Sequence, residues 1–164
     1  MDRESSASGC GIYVPAGKDR LKEELKIWGL VSLQVKISTE DSKGALFVFE
    51  HPNLKKGGPP RHVHPVQDEW FYPIKGEFAV EIGGEHFRLK PGDSLFAPRN
   101  VPHTWAAVGD GPNTILLAIQ PAGSMEAFFR EGAKLKEPPA PEEVARWFAA
   151  HGMEVLGPPL REFE

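Results

Sequence analysis

His62 and His64, one residue apart, are followed by Glu69 and, further on, by His103, side chains able to hold a single divalent metal ion. Alternate residues of a strand share a face, so His62 and His64 point the same way across Val63. Glu69 opens the next extended stretch and can approach from it. Imidazole nitrogens with one carboxylate form a borderline N/O donor set that suits one divalent transition metal (Fe, Mn, Ni, Cu or Zn). It suits calcium and magnesium poorly, because they prefer oxygen ligands. Several of these ions compete well for such a site, so ligand type alone leaves the metal's identity open. Glu69 has two conceivable roles, permanent ligand or, once released, general base for a substrate hydroxyl.

The surrounding elements must be short strands. Seventeen glycines and 16 prolines punctuate β-rich runs, the spacing of an all-β sandwich or barrel. The patterning predicts strands over 30–37, 44–51, 62–65, 68–74, 77–82, 86–89, 94–97, 103–108 and 114–120. Gly83-Gly84 reads as a two-residue hairpin, and Pro91-Gly92-Asp93 turns the chain into Ser94–Ala97. The tail changes character. Ser124 is placed to cap a short helix carrying Met125, Phe128 and Phe129 and ending at Gly132, and Pro141 opens a second with Glu142 and Glu143 in its first turn. Val144, Trp147, Phe148 and His151 share one face of that second helix, as expected for packing on the outside of the sheet.

The two histidine-bearing segments together resemble the signature motifs of the cupin superfamily. HxH, four residues, Glu, six residues and Gly are met at His62, His64, Glu69 and Gly76. The second pattern is met at Gly92, Pro98 and His103. One departure falls in the first pattern and two in the second. Gly57 and Gly58 lie slightly nearer the histidines than the family spacing, Asn100 stands where the family has Gly, and Ala107 where it has Asn. Asn also visits positive φ, so the second change is tolerable. Outside the motifs, the Pro15–Arg20 stretch, the GGPP run and Pro121-Ala122-Gly123 before Phe128-Phe129 look like small one-domain cupins grouped with quercetin dioxygenase-like proteins. The resemblance implies a mainly β fold, a double-stranded β-helix (jelly-roll β-barrel) with short C-terminal helices. It also implies a metal bound inside one end by His62, His64, Glu69 and His103, and frequent assembly as a homodimer.

Length and composition bound the rest. With 164 residues and 40% apolar content, one core and one domain are expected. Residues 1–20 would form an N-terminal extension, mobile at its start, 21–122 the barrel, and 123–164 a helical tail packed on it. Net charge of −4 without a basic stripe argues against a nucleic-acid partner. Neither a secretory signal nor a spanning segment is legible, so a cytoplasmic location is expected. Cys10, the single cysteine, has no partner for a disulfide or thiolate site.

Near the site several residues compete. Alternation lets only one of Asp68 and Glu69 face inward, and the interval of the resembled motif chooses Glu69, while His51 and His86 read as structural. Phe71 shares a face with Glu69 and Trp105 with His103, and Phe47 and Phe49 share another; all four either wall a substrate pocket or fill the barrel. Trp70 and Tyr72 face away, towards packing or a subunit interface, and Arg61 and Arg99 flank the rim. Two functional classes follow. One is a metal-dependent dioxygenase acting on a small aromatic or enolisable substrate. The other is a non-catalytic small-molecule-binding or sensor protein, and a metal-dependent sugar or keto-acid isomerase would call for a more polar lining.

Overall fold

The computed structural model describes residues 9–161. In chain order the strands are β1 (Leu25–Ile27), β2 (Val31–Ile37), β3 (Phe47–Leu54), β4 (Pro60–Val63), β5 (Asp68–Lys75), β6 (Phe78–Ile82), β7 (Glu85–Leu89), β8 (Leu95–Ala97), β9 (His103–Ala107) and β10 (Asn113–Gln120). Helices α1 (Met125–Gly132) and α2 (Pro141–Ala150) follow, and β11 (Glu154–Pro159) ends the series. The strands form two facing antiparallel sheets, β1-β2-β3-β10-β5-β8 and β11-β4-β9-β6-β7. This is the expected double-stranded β-helix with short C-terminal helices.

Period-two alternation decides what lies between the sheets. On β5, Glu69, Phe71 and Pro73 are buried, whereas Asp68, Trp70 and Tyr72 are only partly so. On β3 the same rule turns Phe47, Phe49 and His51 inward. Phe47, Phe49, Phe71 and Phe78 are almost wholly sequestered, each contributing about 1.5–3 kcal/mol through removal of apolar surface from water. Outside, Trp70 and Tyr72 stack with ring centroids 5.2 Å apart, and Trp70 donates to Ser94 Oγ.

The Gly83-Gly84 hairpin joins β6 to β7, both glycines taking positive φ (57° and 86°), as a type I′ turn requires. Two strands were not legible in the sequence. β1 is a three-residue piece held by β2, and β11 pairs with β4, so the C-terminal tail is not purely helical. Prolines 158 and 159 argue against a strand, but β11 lies at a sheet edge, where a missing N–H is tolerated. Ser124 also departs from expectation: it precedes α1 without capping it, and its Oγ bonds His151 Nδ1 instead. The expected mobile start falls largely on residues 1–8, outside the described residues, and Cys10 is exposed. Among the described residues no helix is long and apolar enough to cross a membrane.

Gly58, just before the histidine pair, runs against β9. A Cβ there would lie 1.8 Å from the Trp105 carbonyl oxygen, which is backbone and cannot swing aside. Gly58→Ala is therefore expected to cost about 3 kcal/mol or more, by the overpacking mechanism. Equilibrium urea unfolding checks this, and an unchanged midpoint would contradict the tight approach.

Candidate metal centre

Topology brings three separated pieces of chain to one point. His62 on β4 lies directly opposite His103 on β9 in the antiparallel register. His64 follows one residue past the end of β4, and its carbonyl accepts the Asn100 N–H at 2.7 Å. Asn100 holds φ at 62°, the left-handed conformation anticipated where the signature has glycine. Glu69 comes from β5 in the facing sheet, so the cluster bridges both sheets. One ligand atom from each of His62, His64, Glu69 and His103 lies within 4.8 Å of the others, and all four residues are buried.

Each imidazole is oriented by a fixed acceptor. His62 Nδ1 donates to Pro60 O (2.7 Å), His103 Nδ1 to Val101 O (3.2 Å), and His64 Nδ1 to the Gln67 side-chain oxygen (3.2 Å). A carbonyl only accepts, so Nδ1 carries the proton in each ring and Nε2 is left for the centre. Glu69 Oε2 lies 2.7 Å from His103 Nε2 and 3.3 Å from His64 Nε2.

The electrostatics follow. Burial, with the neighbouring His103 and His64, pushes His62 down to about 3, so it is a neutral imidazole near pH 7. Burial also works against charge on His103, but the Glu69 hydrogen bond and charge outweigh it and hold its pKa above the ordinary histidine value. For Glu69, burial favours the acid, yet the hydrogen bond from His103 and the adjacent His64 imidazole hold the carboxyl well below the usual range. The Nε2 atoms of His62, His64 and His103, the last freed on losing one proton, fit a divalent transition metal together with an ionised carboxylate.

Residues 53–119 match the family model of the cupin domain. This stretch is a cupin domain. This cupin is 33% identical over 60 residues to the tetracenomycin polyketide synthase protein TcmJ of Streptomyces glaucescens, covering 37% of this chain and 40% of that one. It is 32% identical over 69 residues to the quercetin 2,3-dioxygenase of Bacillus subtilis, covering 42% of this chain and 20% of the relative. The chain thus spans well under two thirds of these curated relatives. Among solved structures, a RmlC-like cupin from Shewanella frigidimarina superposes with a TM-score of 0.50 at 27% identity, over 61% of this chain and 84% of that one.

Of the four aromatic residues singled out in the sequence of this cupin, Phe71 sits edge-on to His103 at 6.0 Å, and Trp105 is buried near Phe78. Phe47 and Phe49 stack on each other (5.0 Å) further along the same interior. Arg61 is paired with Glu81 and Arg99 with Asp68, so both guanidinium groups already have carboxylate partners. Asp68 faces the surface, as alternation predicts.

Three residues near the site were not read as site residues. Phe148 of α2 packs edge-on against the His62 ring at 5.3 Å, so this face of α2 reaches the metal end rather than only the outside of a sheet. His51 is buried between Phe49, Trp105 and Phe129, and burial pushes it down to about 4. Gln67 fixes His64, while its own Nε2 donates to the carbonyls of Pro121 (3.0 Å) and Ala122 (2.9 Å). Only its position inside the first motif could have drawn attention to it, because those carbonyls lie more than fifty residues away. Gln67→Leu is expected to weaken metal binding about 10–100-fold, the usual cost of releasing a ligand's orienting partner. Competition titration with a chromophoric chelator measures this, and unchanged affinity would contradict the role.

Proposed function

We propose that this cupin is a metal-dependent, dioxygenase-like enzyme acting on a small aromatic or enolisable molecule. The carrying observation is the buried three-histidine, one-glutamate cluster set among aromatic side chains. A divalent transition metal held by His62, His64, Glu69 and His103 would supply a Lewis-acidic centre with room for further ligands.

The chain's own residues would do the rest. Phe71 and Phe148, both touching imidazoles of the cluster, keep its surroundings dry and favour a flat apolar body. With His62 neutral and Glu69 the one anionic ligand, a deprotonated enol or catechol would add the second negative charge that balances a divalent ion. Glu69 is held ionised and is therefore first a ligand. If displaced from the metal, it would become a carboxylate beside the centre able to take a substrate hydroxyl proton on Oε2. The relatives point in the same chemical direction. Quercetin, in one relative's name, is an enolone, and polyketides carry β-dicarbonyl units that enolise readily. A sugar or keto-acid isomerase is less well supported, since Phe47, Phe49, Phe71 and Trp105 dominate the interior.

The test is oxygen uptake by protein loaded separately with iron, manganese, nickel, copper and zinc, offered flavonols, catechols and β-diketones. Uptake with at least one pair, lost in Glu69→Ala, supports the proposal. No uptake with any pair, while the same molecules still bind, would favour the non-catalytic binding or sensor role.

A further inference from the structure

His51 is the one buried histidine inside the barrel that does not belong to the metal cluster. It lies on β3 beyond Phe47 and Phe49, two positions apart on the same inward face. Its Nδ1 is 2.9 Å from the Ser32 carbonyl oxygen and must donate to it. Nε2 is therefore left as an acceptor, and no hydrogen bond to it is formed among the described residues. The ring is framed by Phe49 (5.4 Å), Trp105 (6.0 Å) and Phe129 (6.0 Å), none of which can satisfy that nitrogen as arranged. Trp105, which its ring meets at 6.0 Å, lies two residues past His103 on the same face of β9, so His51 lies towards the metal end. An apolar residue would fill an aromatic niche at lower cost than a histidine whose Nε2 has no protein donor.

We propose that His51 is a ligand-binding residue, its Nε2 accepting a hydrogen bond from a hydroxyl that an enolic or aromatic molecule carries on the side away from its metal-binding oxygens. This rests on the function proposed above and adds a selection rule to it: of two molecules with the same metal-binding edge, the one with a distal hydroxyl binds more tightly. His51 stays neutral near pH 7, so it serves as an acceptor and not as a source of charge.

Kojic acid and allomaltol make a matched pair of probes. Both present the same hydroxy-ketone edge, and they differ by one hydroxyl on the one-carbon substituent at the far side of the ring, hydroxymethyl against methyl. Dissociation constants would be measured by calorimetry on full-length, zinc-loaded protein and on two variants. His51→Asn keeps an amide donor for Ser32 but removes the acceptor, whereas His51→Gln returns an oxygen to the Nε2 position. The wild type is expected to favour kojic acid about tenfold, roughly one neutral hydrogen bond. His51→Asn should abolish that preference without altering allomaltol affinity or zinc stoichiometry, and His51→Gln should restore part of it.

Equal loss for both probes in His51→Asn, or no loss, would overturn the assignment and leave the proposed function standing. Failure of the wild type to bind either probe would instead remove the enolic ligand class, and this inference with it. Should His51→Asn not fold, nitrogen NMR of the wild-type ring decides: Nε2 must be unprotonated and must shift with kojic acid but not with allomaltol. A protonated Nε2, or equal shifts, would overturn the assignment.

Discussion

His64→Ala is expected to strip the metal from the protein. His64 gives one of four donors, and its ring is held by Gln67 Oε1 on one side and lies 3.3 Å from Glu69 Oε2 on the other. Alanine removes the donor and frees Glu69 to turn wholly towards His103. The loss in affinity should exceed the about 10–100-fold that follows when only an orienting neighbour is removed. Elemental analysis after dialysis against a weak chelator gives the stoichiometry. His86→Ala, on β7 outside the cluster, should leave it unchanged. Full metal content in His64→Ala would mean that the ligands are other residues.

Acidification of the metal-free protein should unfold it well before its carboxylates are protonated. His62 and His51 are buried and neutral, with pKa values pushed to about 3 and about 4 from an ordinary 6.5. Each must stay deprotonated in the fold while its unfolded counterpart gains a proton. Stability is thus intact above about pH 6.5 and falls by about 1.4 kcal/mol per pH unit for each ring below it, until the folded value is reached. Two rings falling together can exhaust the 5–15 kcal/mol that is typical of a domain, so about two pH units suffice for a marginal one. The Glu69–His103 pair acts differently. The lowered Glu69 contributes above its ordinary 4.5 and is lost only as pH falls through its folded value. The raised His103 contributes fully below 6.5 and is lost as pH rises through its folded value. The pair therefore cannot rescue the acid limb. Urea unfolding at pH 7, 6 and 5 tests this, and a flat profile would contradict the burial of neutral histidines. A saturating metal should raise stability most at the higher pH values, because binding displaces a proton from His103.

Much of the site was legible because its determinants are local. The His62–Val63–His64 alternation, the interval to Glu69 and the positive-φ requirement at Asn100 are all short-range, and each holds in the fold. His103 became readable through the second motif, and the β4–β9 register explains it: His62 and His103 are cross-strand neighbours. Other features depend on topology. Phe148 reaches His62 only because β11 draws the tail back along β4. Gln67 serves His64 only because Pro121 and Ala122 return beside it. His51 looked like an ordinary strand-end histidine until β3 was seen to face Trp105 across the barrel. Local pattern can propose ligands; it does not show what closes over them.

X-ray absorption at the metal edge of zinc-loaded protein tests the central claim most directly. Three imidazoles and one carboxylate should give a first shell of nitrogen and oxygen at about 2.0–2.2 Å, with imidazole multiple scattering that drops when His103 is replaced. A shell of oxygen alone, or imidazole scattering indifferent to that replacement, would contradict the assignment.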